Sequence, residues 1–246
     1  MGNDEGADNE KPEHEVTLSA FKISRHEITN YQYAAYLNEA LALGTVSVSG
    51  DTSVFADSGA YAGKKLITFT AKRAKQNECW ILYSGGSFHA VAGKENWPVV
   101  FVTWYGAASY AAHYSLRLPT EAEWECAASV AGTRGYATSD GQLDSTSLNF
   151  SSIIGHPTDV GSFEPNGYAL FDMSGNVWEL CADWYGLYPD STQVDPTGPA
   201  EGEVHVRRGG GWNSCAESSN TTAREPQDYE DHLGPGIGFR VASDLE

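Results

Sequence analysis

The chain has 246 residues, long enough to bury a sizeable core, and its 33 Asp and Glu against 15 Lys and Arg leave a formal net charge of −18. A surface this acidic repels phosphate backbones, so no nucleic acid partner is expected; it would attract cations or cationic peptides, or serve only as a solubilising coat. No run of about 18 apolar residues occurs, so no membrane insertion is expected either.

In chain order, residues 1–15 (MGNDEGADNEKPEHE) lack a basic region followed by an apolar one, so no secretory leader is read there. Residues 15–23 alternate apolar and polar side chains, the pattern of a half-buried strand. Thr29 and Gln32 are spaced as a capping box, and Tyr33, Tyr36, Leu37 and Ala40 follow at helical spacing, which predicts a helix over residues 30–42. Residues 44–93 are rich in Ser, Gly and Thr, with short alternating runs at 65–70 and 79–83, and read as small hairpins in an insertion. The apolar run 98–103 leads into 104–114, an alanine-rich helix candidate. Pro119 then stops the chain, Thr120 can cap, and Glu123 completes a second capping box; Ala122, Cys126 and Ala127 share one face with Trp124 close by.

From Gly132 onward, turn-forming residues recur so often that few regular elements longer than about five residues fit. Aromatic residues are interleaved with them, which predicts a packed but irregular region held by side-chain hydrogen bonds and ions. The stretch 166–181, NGYALFDMSGNVWELC, is expected to be an ordered, cation-fastened loop rather than a helix or strand. Asp172 and Glu179 bracket it, and a hard cation could take both carboxylates together with backbone carbonyls exposed by a turn at Gly175. The alternative is that both carboxylates cap local N–H groups.

The four cysteines, Cys79, Cys126, Cys181 and Cys215, form no CxxC pair and are too scattered for a disulfide framework. Buried, reduced thiols are expected for each, which favours a cytoplasmic, soluble protein. The histidines show no HxxxH or HExxH spacing, and no GxSxG, P-loop or GxGxxG context is present.

The segments NGYALFDMSGNVWEL, RLPTEAEWE (117–125), RRGGGW (207–212) and GIGFR (236–240) together resemble the formylglycine-generating-enzyme family, also called sulfatase-modifying factors, over nearly the whole chain. The resemblance implies an α+β, irregular C-type-lectin-like fold with little regular secondary structure, as a single domain over 1–246 with an insertion at about 44–93. It implies a structural calcium held by Asp172, the Gly175 and Val177 carbonyls and Glu179. A second calcium would begin with Asn149 and the Phe150 carbonyl, but residues 151–160 offer no clear further partner. Family members usually carry an earlier strand ending in Met-Gly, which implies that a preceding segment has been removed here.

Catalytic members of the family oxidise a cysteine of a sulfatase peptide to formylglycine with molecular oxygen, using copper held by two cysteine thiolates. Two soft sulfur donors stabilise Cu(I), and hard oxygen ligands do not substitute. Ser214 stands at the first of those positions and the second falls near Ser219, while Cys215 comes one residue late, a slip that turns a side chain elsewhere in an extended segment. Gly211 and Gly236 replace a family Ser and Asn, and of the substrate-contacting set only Trp178 and Arg224 remain. Copper is therefore not expected. The disulfides of secreted members are missing too, with Ala128 and Val241 at one pair of positions and no Cys near Thr222 at the other.

Two functions from different classes follow. The first is a calcium-stabilised ligand- or protein-binding accessory protein, taking a small molecule, protein or peptide in a groove lined by Trp178, Trp212, Ser214, Arg224, Asp228, Tyr229 and His232. Small residues at 211, 214, 218, 219 and 234–236 would open that groove, loops on a rigid scaffold being common carriers of recognition. The plainer expectation makes Trp178 and Trp212 core and Arg224 a buried ion-pair partner. The alternative function is a metal-dependent oxidoreductase acting on a protein or small-molecule thiol, with Cys215, joined by Cys181, as metal ligand or nucleophile.

Overall fold

The computed structural model describes residues 1–50, 52–69, 79–132, 135–227 and 233–245. Where one strand was expected over 15–23, two short ones form, β1 (Val16–Thr17) and β2 (Phe21–Ile23). They part because each serves a different partner: β1 runs parallel to Gln193–Val194, and β2 pairs antiparallel with Ala242–Asp244. Asp195 fastens the break, accepting from the Ser19 N–H at 2.6 Å and the Ser19 hydroxyl at 2.7 Å.

Helix α1 (Asn30–Ala42) starts where the capping box places it, with the Thr29 hydroxyl accepting the Gln32 N–H at 3.3 Å and the Gln32 side chain accepting the Thr29 N–H at 2.9 Å. Its buried face is the expected one, Tyr33, Tyr36, Leu37 and Ala40. Strands β3 (Val46–Ser49), β4 (Ser53–Ala56) and β5 (Lys65–Thr68) make an antiparallel sheet, and β6 (Ile81–Ser84) and β7 (Ser87–Ala90) make a hairpin. The hairpin turns through Gly85 and Gly86, both at positive φ. Helix α2 (Trp104–His113) crosses β5 so closely that a Cβ on Gly106 would run into the Leu66 carbonyl. Packing thus accounts for a glycine inside a helix.

Helix α3 (Glu121–Ala128) carries the second capping box, with reciprocal Thr120–Glu123 bonds of 2.8 and 3.1 Å. Its buried face is more acidic than the pattern suggested: Glu121, Glu123 and Glu125 are all buried, and Arg224, Arg117 and Arg208 neutralise them. Cys126, expected on the packed face, is exposed, as is Cys215, whereas Cys79 and Cys181 are buried; all four are free thiols.

Beyond Gly132 the chain is irregular, as expected, with one correction. The last part of the stretch 166–181 is not loop but the start of β8 (Trp178–Trp184), seven residues long. After β9 (Gln193–Val194) come β10 (His205–Arg208), β11 (Arg224–Pro226), β12 (Ile237–Gly238) and β13 (Ala242–Asp244). With β8, strands β10, β11 and β12 complete a four-stranded sheet in the order β11-β10-β8-β12, in which β12 runs parallel to β8. Glu179 and Asp183 disguise β8 in the sequence, because a strand between two neighbours ordinarily reads as an apolar run.

A large core joins α1, α2 and β3–β7 to the central sheet through Tyr33, Leu37, Ile67, Ile81, Leu180 and Phe239. A smaller one gathers Trp124, Ala127, Met173, Cys181 and Val206. No helix among the described residues is long and apolar enough to cross a membrane.

Candidate functional site

The loop before β8 is shaped by left-handed residues at Asp172 (φ 57°), Gly175 (φ 85°) and Asn176 (φ 60°). Gly175 is required twice, for its φ and because a Cβ there would strike the Asn149 carbonyl. Four successive amides leave the loop for outside partners: Gly175 N–H to Gly209 O at 2.8 Å, Asn176 N–H to Asn149 O at 2.9 Å, Val177 N–H to Glu27 Oε1 at 3.1 Å and Trp178 N–H to Gly236 O at 2.8 Å.

The two bracketing carboxylates have different surroundings. Asp172 accepts the Gly161 N–H through Oδ2 at 2.7 Å, and its Oδ1 accepts no hydrogen bond among the described residues. Glu179, fully buried, receives Arg240 Nη2 on Oε1 at 2.7 Å, and on Oε2 both Arg240 Nε at 2.5 Å and Trp124 Nε1 at 2.7 Å. It is therefore half of a buried ion pair, not a cap for local amides. Glu27 adds a third carboxylate, buried like Glu179 while Asp172 is half-buried, and Asp172 and Glu179 both repel it. Burial first, then that repulsion, pushes the Glu27 carboxyl well up; burial raises Asp172 to about 6. Three carboxylates face one guanidinium, so the cluster is short of positive charge.

Among the described residues, no three His, Cys, Asp or Glu side chains converge as a metal-binding group. A cation here would depend on mixed oxygen donors, two carboxylates with the Gly175 and Val177 carbonyls, a set that suits calcium. At the second expected ion, Asn149 is buried, gives its Nδ2–H to His156 O at 2.9 Å, and leaves Oδ1 without a partner among the described residues; Phe150 is buried beside it.

The turn 209–215 holds the positions where the family resemblance places copper ligands. Ser214 accepts the Gly211 N–H on Oγ at 3.0 Å. Ser219 is fully buried, with its carbonyl taken by the Ser174 hydroxyl at 2.7 Å. Cys215 stands exposed, its Sγ 3.3 Å from the Ser218 hydroxyl. Cys181 is sealed in the smaller core, where burial pushes its thiol well up. One thiol faces solvent and the other the core, so the structure does not bring them to one site.

Two of the small residues of the expected groove, Gly211 and Gly236, do not face open space. A Cβ on Gly211 would lie 2.9 Å from Gly236 O, so Gly211 lets the two backbones close on each other, and a Cβ on Gly236 would lie 2.8 Å from the side-chain Oδ1 of Asn213. Trp178 and Trp212 are buried at that seam, and Trp212 gives its indole N–H to Pro235 O at 2.9 Å. Arg224 lies elsewhere. It pairs bidentately with Glu121 at 2.7 Å on both oxygens, gives Nη1 to the Asn9 and Gly186 carbonyls, and stacks 4.0 Å from the Tyr188 ring centre. Asp228, Tyr229 and His232 lie outside the described residues. Glu27, Trp124 and Arg240 were missed in the sequence; the final Arg of GIGFR was visible there, but its carboxylate partner was not.

With this geometry in view, the sequence model of the sulfatase-modifying factor enzyme 1-like domain matches residues 1–245. The chain belongs to that family. It is 33% identical over 267 residues to a formylglycine-generating enzyme of Streptomyces coelicolor, covering 98% of this chain and 83% of that enzyme. It is also 32% identical over 249 residues to the serine/threonine-protein kinase pkn1 of Chlamydia caviae, covering 100% of this chain but only 36% of the kinase. The chain thus spans about a third of the length of that relative. PvdO from Pseudomonas aeruginosa superposes with a TM-score of 0.73 at 24% identity, covering 100% of this chain and 90% of its own. Treponema denticola variable protein 1 gives 0.68 at 21%, covering 99% and 91%. These two likenesses are of fold, and the α+β formylglycine-generating-enzyme fold is the one the resemblance implied.

In this sulfatase-modifying-factor domain, Arg224 borders a cavity of about 410 Å³ together with Glu121, Asp183, Trp184, Tyr188 and Pro199. Asp183 accepts the Glu121 N–H at 2.8 Å, and burial, followed by repulsion from Glu121, raises its carboxyl from 3.8 to about 7. Between those two values the folded state holds a proton that the unfolded chain has released. Stability therefore falls as pH rises from about 4 to 7, by at most roughly 1.4 kcal/mol per pH unit from this group. Asp183→Asn keeps an oxygen for the Glu121 amide, so it is expected to lessen that decline in urea unfolding measured from pH 4 to 8. Parallel curves for both proteins would contradict the assignment.

Proposed function

We propose that this sulfatase-modifying-factor domain is a calcium-stabilised accessory module that binds a small-molecule, peptide or protein ligand and does not carry out copper-dependent formylglycine formation. The observation that carries the proposal is the loss of both soft donors, with Ser214 and Ser219 at the thiolate positions. A Cu(I) site needs two soft ligands, and the hydroxyls present are hard. Ser214 is engaged in its own turn and Ser219 is buried, so neither presents a donor to an incoming thiol. Cys215 alone cannot supply the pair, because Cys181 belongs to the core.

Calcium, when bound, would supply the positive charge that Glu27, Asp172 and Glu179 lack, with Asp172, Glu179 and the Gly175 and Val177 carbonyls as its holders. The exposed edge of the turn at residues 213–215 is the surface a ligand would meet, with Trp178 and Trp212 as its buried support. The extent of the match in the pkn1 kinase, about a third of a longer protein, supports an accessory role. Identity with the Streptomyces coelicolor enzyme and the exposed Cys215 favour the alternative, a metal-dependent oxidoreductase acting on a thiol.

Elemental analysis of protein purified under reducing conditions, followed by Cu(I) titration before and after blocking Cys215, separates the two. Calcium without tight, thiol-dependent copper is the expected result. One equivalent of tightly held copper that is lost on blocking Cys215 would overturn the proposal. Ser214→Cys is expected to create no copper-dependent oxidation of a sulfatase-derived cysteine peptide, since the second thiolate is still missing. Aldehyde formation by that variant would show that the catalytic machinery survives.

A further inference from the structure

The two carbonyls of the calcium reading, Gly175 O and Val177 O, are carried by the peptide units 175–176 and 177–178. The amide ends of those units are fixed by Asn149 O and Gly236 O. A trans peptide is planar with its N–H and C=O opposed, so each carbonyl is turned away from the partner of its own amide. The unit between them, 176–177, is clamped at both ends: the Asn176 carbonyl accepts the Trp212 N–H at 2.7 Å, and Glu27 Oε1 accepts the Val177 N–H at 3.1 Å. Glu27 Oε2 also accepts Asn176 Nδ2 at 2.6 Å, and Asn176 Oδ1 accepts the Thr158 N–H at 2.9 Å. Glu27 comes from the segment just before α1, about 150 positions away in sequence, and is 1% exposed.

We propose that Glu27 is a positioning residue for the cation loop, holding the 176–177 peptide so that the Gly175 and Val177 carbonyls reach one calcium ion together with Asp172 and Glu179. The inference rests on the calcium reading above and goes beyond it by assigning a residue that is not itself a ligand. Glu27→Gln keeps an oxygen for the Val177 amide but sets an NH₂ against Asn176 Nδ2, replacing one of the two accepted hydrogen bonds with a donor–donor contact. Partners of this kind typically alter metal affinity by about 10–100-fold.

The test is calorimetric titration of the chelator-stripped full chain with calcium, for wild type, Glu27→Gln and Glu27→Asp, with the Tm of each in EDTA as the structural readout. Should Glu27→Gln fail to fold, Glu27→Asp carries the test, since it keeps both carboxyl oxygens but withdraws them by one methylene. We expect calcium affinity about 10–100-fold lower for Glu27→Gln and a smaller loss for Glu27→Asp. A lowered Tm in EDTA with unchanged affinity would make Glu27 purely structural and overturn the inference while the calcium reading stands. A wild type that takes up no calcium would overturn both.

Discussion

Glu179→Ala is expected to destabilise the protein by about 3–5 kcal/mol, because it leaves the Arg240 guanidinium buried without its counter-charge. Arg240 is 0% exposed, and its remaining acceptors are the Ser24 and Phe171 carbonyls. The same substitution strips the acceptor from the Trp124 indole N–H, which ties β8 to α3. Urea unfolding in EDTA measures this ion-pair contribution without calcium, and a loss below about 1 kcal/mol would show that the pair is not formed as described, since breaking a buried pair costs more. Repeating the measurement in calcium, with metal content determined alongside, tests the cation reading: the variant should lose one bound calcium. Unchanged calcium content would sink that assignment and leave Glu179 as an ion-pair partner only.

Arg224→Ala carries the second large effect, toward the lower end of the same range of about 3–5 kcal/mol. The Glu121 carboxylate it abandons keeps the Tyr188 hydroxyl at 3.0 Å and Arg208 at 3.5 Å, which cushions the loss. The variant also forfeits the stacking on Tyr185 and Tyr188. This outcome separates two roles that the sequence left open. A ligand-contacting arginine would lose binding with little change in Tm, whereas a brace between α3, β11 and the 186–188 segment would lose several degrees, since about 1 kcal/mol shifts the Tm of a domain this size by roughly 2–4 °C. Differential scanning fluorimetry decides between them, and an unshifted Tm would contradict the brace.

The elements legible in the sequence were those whose signal is local. Thr29 with Gln32 and Thr120 with Glu123 satisfy helix-start amides within a span of three residues, so both helix starts could be read from spacing alone. The 65–70 and 79–83 runs likewise announced β5 and β6, whose antiparallel partners β4 and β7 lie at short range. Strand β8 was not legible, because the acids that break its apolar pattern are answered from far along the chain: Glu179 by Arg240, 61 residues on. The glycines at 211 and 236 were misread for a related reason. A missing side chain can mean open space or close backbone approach, and only the position of the opposing strand tells which.

What the sequence by itself determined, then, is the family fold and the three helices; it also carries the expectation that Ser214 and a position near Ser219 stand where the family resemblance places thiolates. What only the tertiary structure decided is which charges are buried together. Arg224 is paired with Glu121 away from the Trp178–Trp212 seam, Cys181 lies in the core and Cys215 at the surface, and Glu27 is brought to the amide of Val177. The physical reason is that burial of a charge is tolerated only beside its partner, and here the partners come from elements that no local pattern connects.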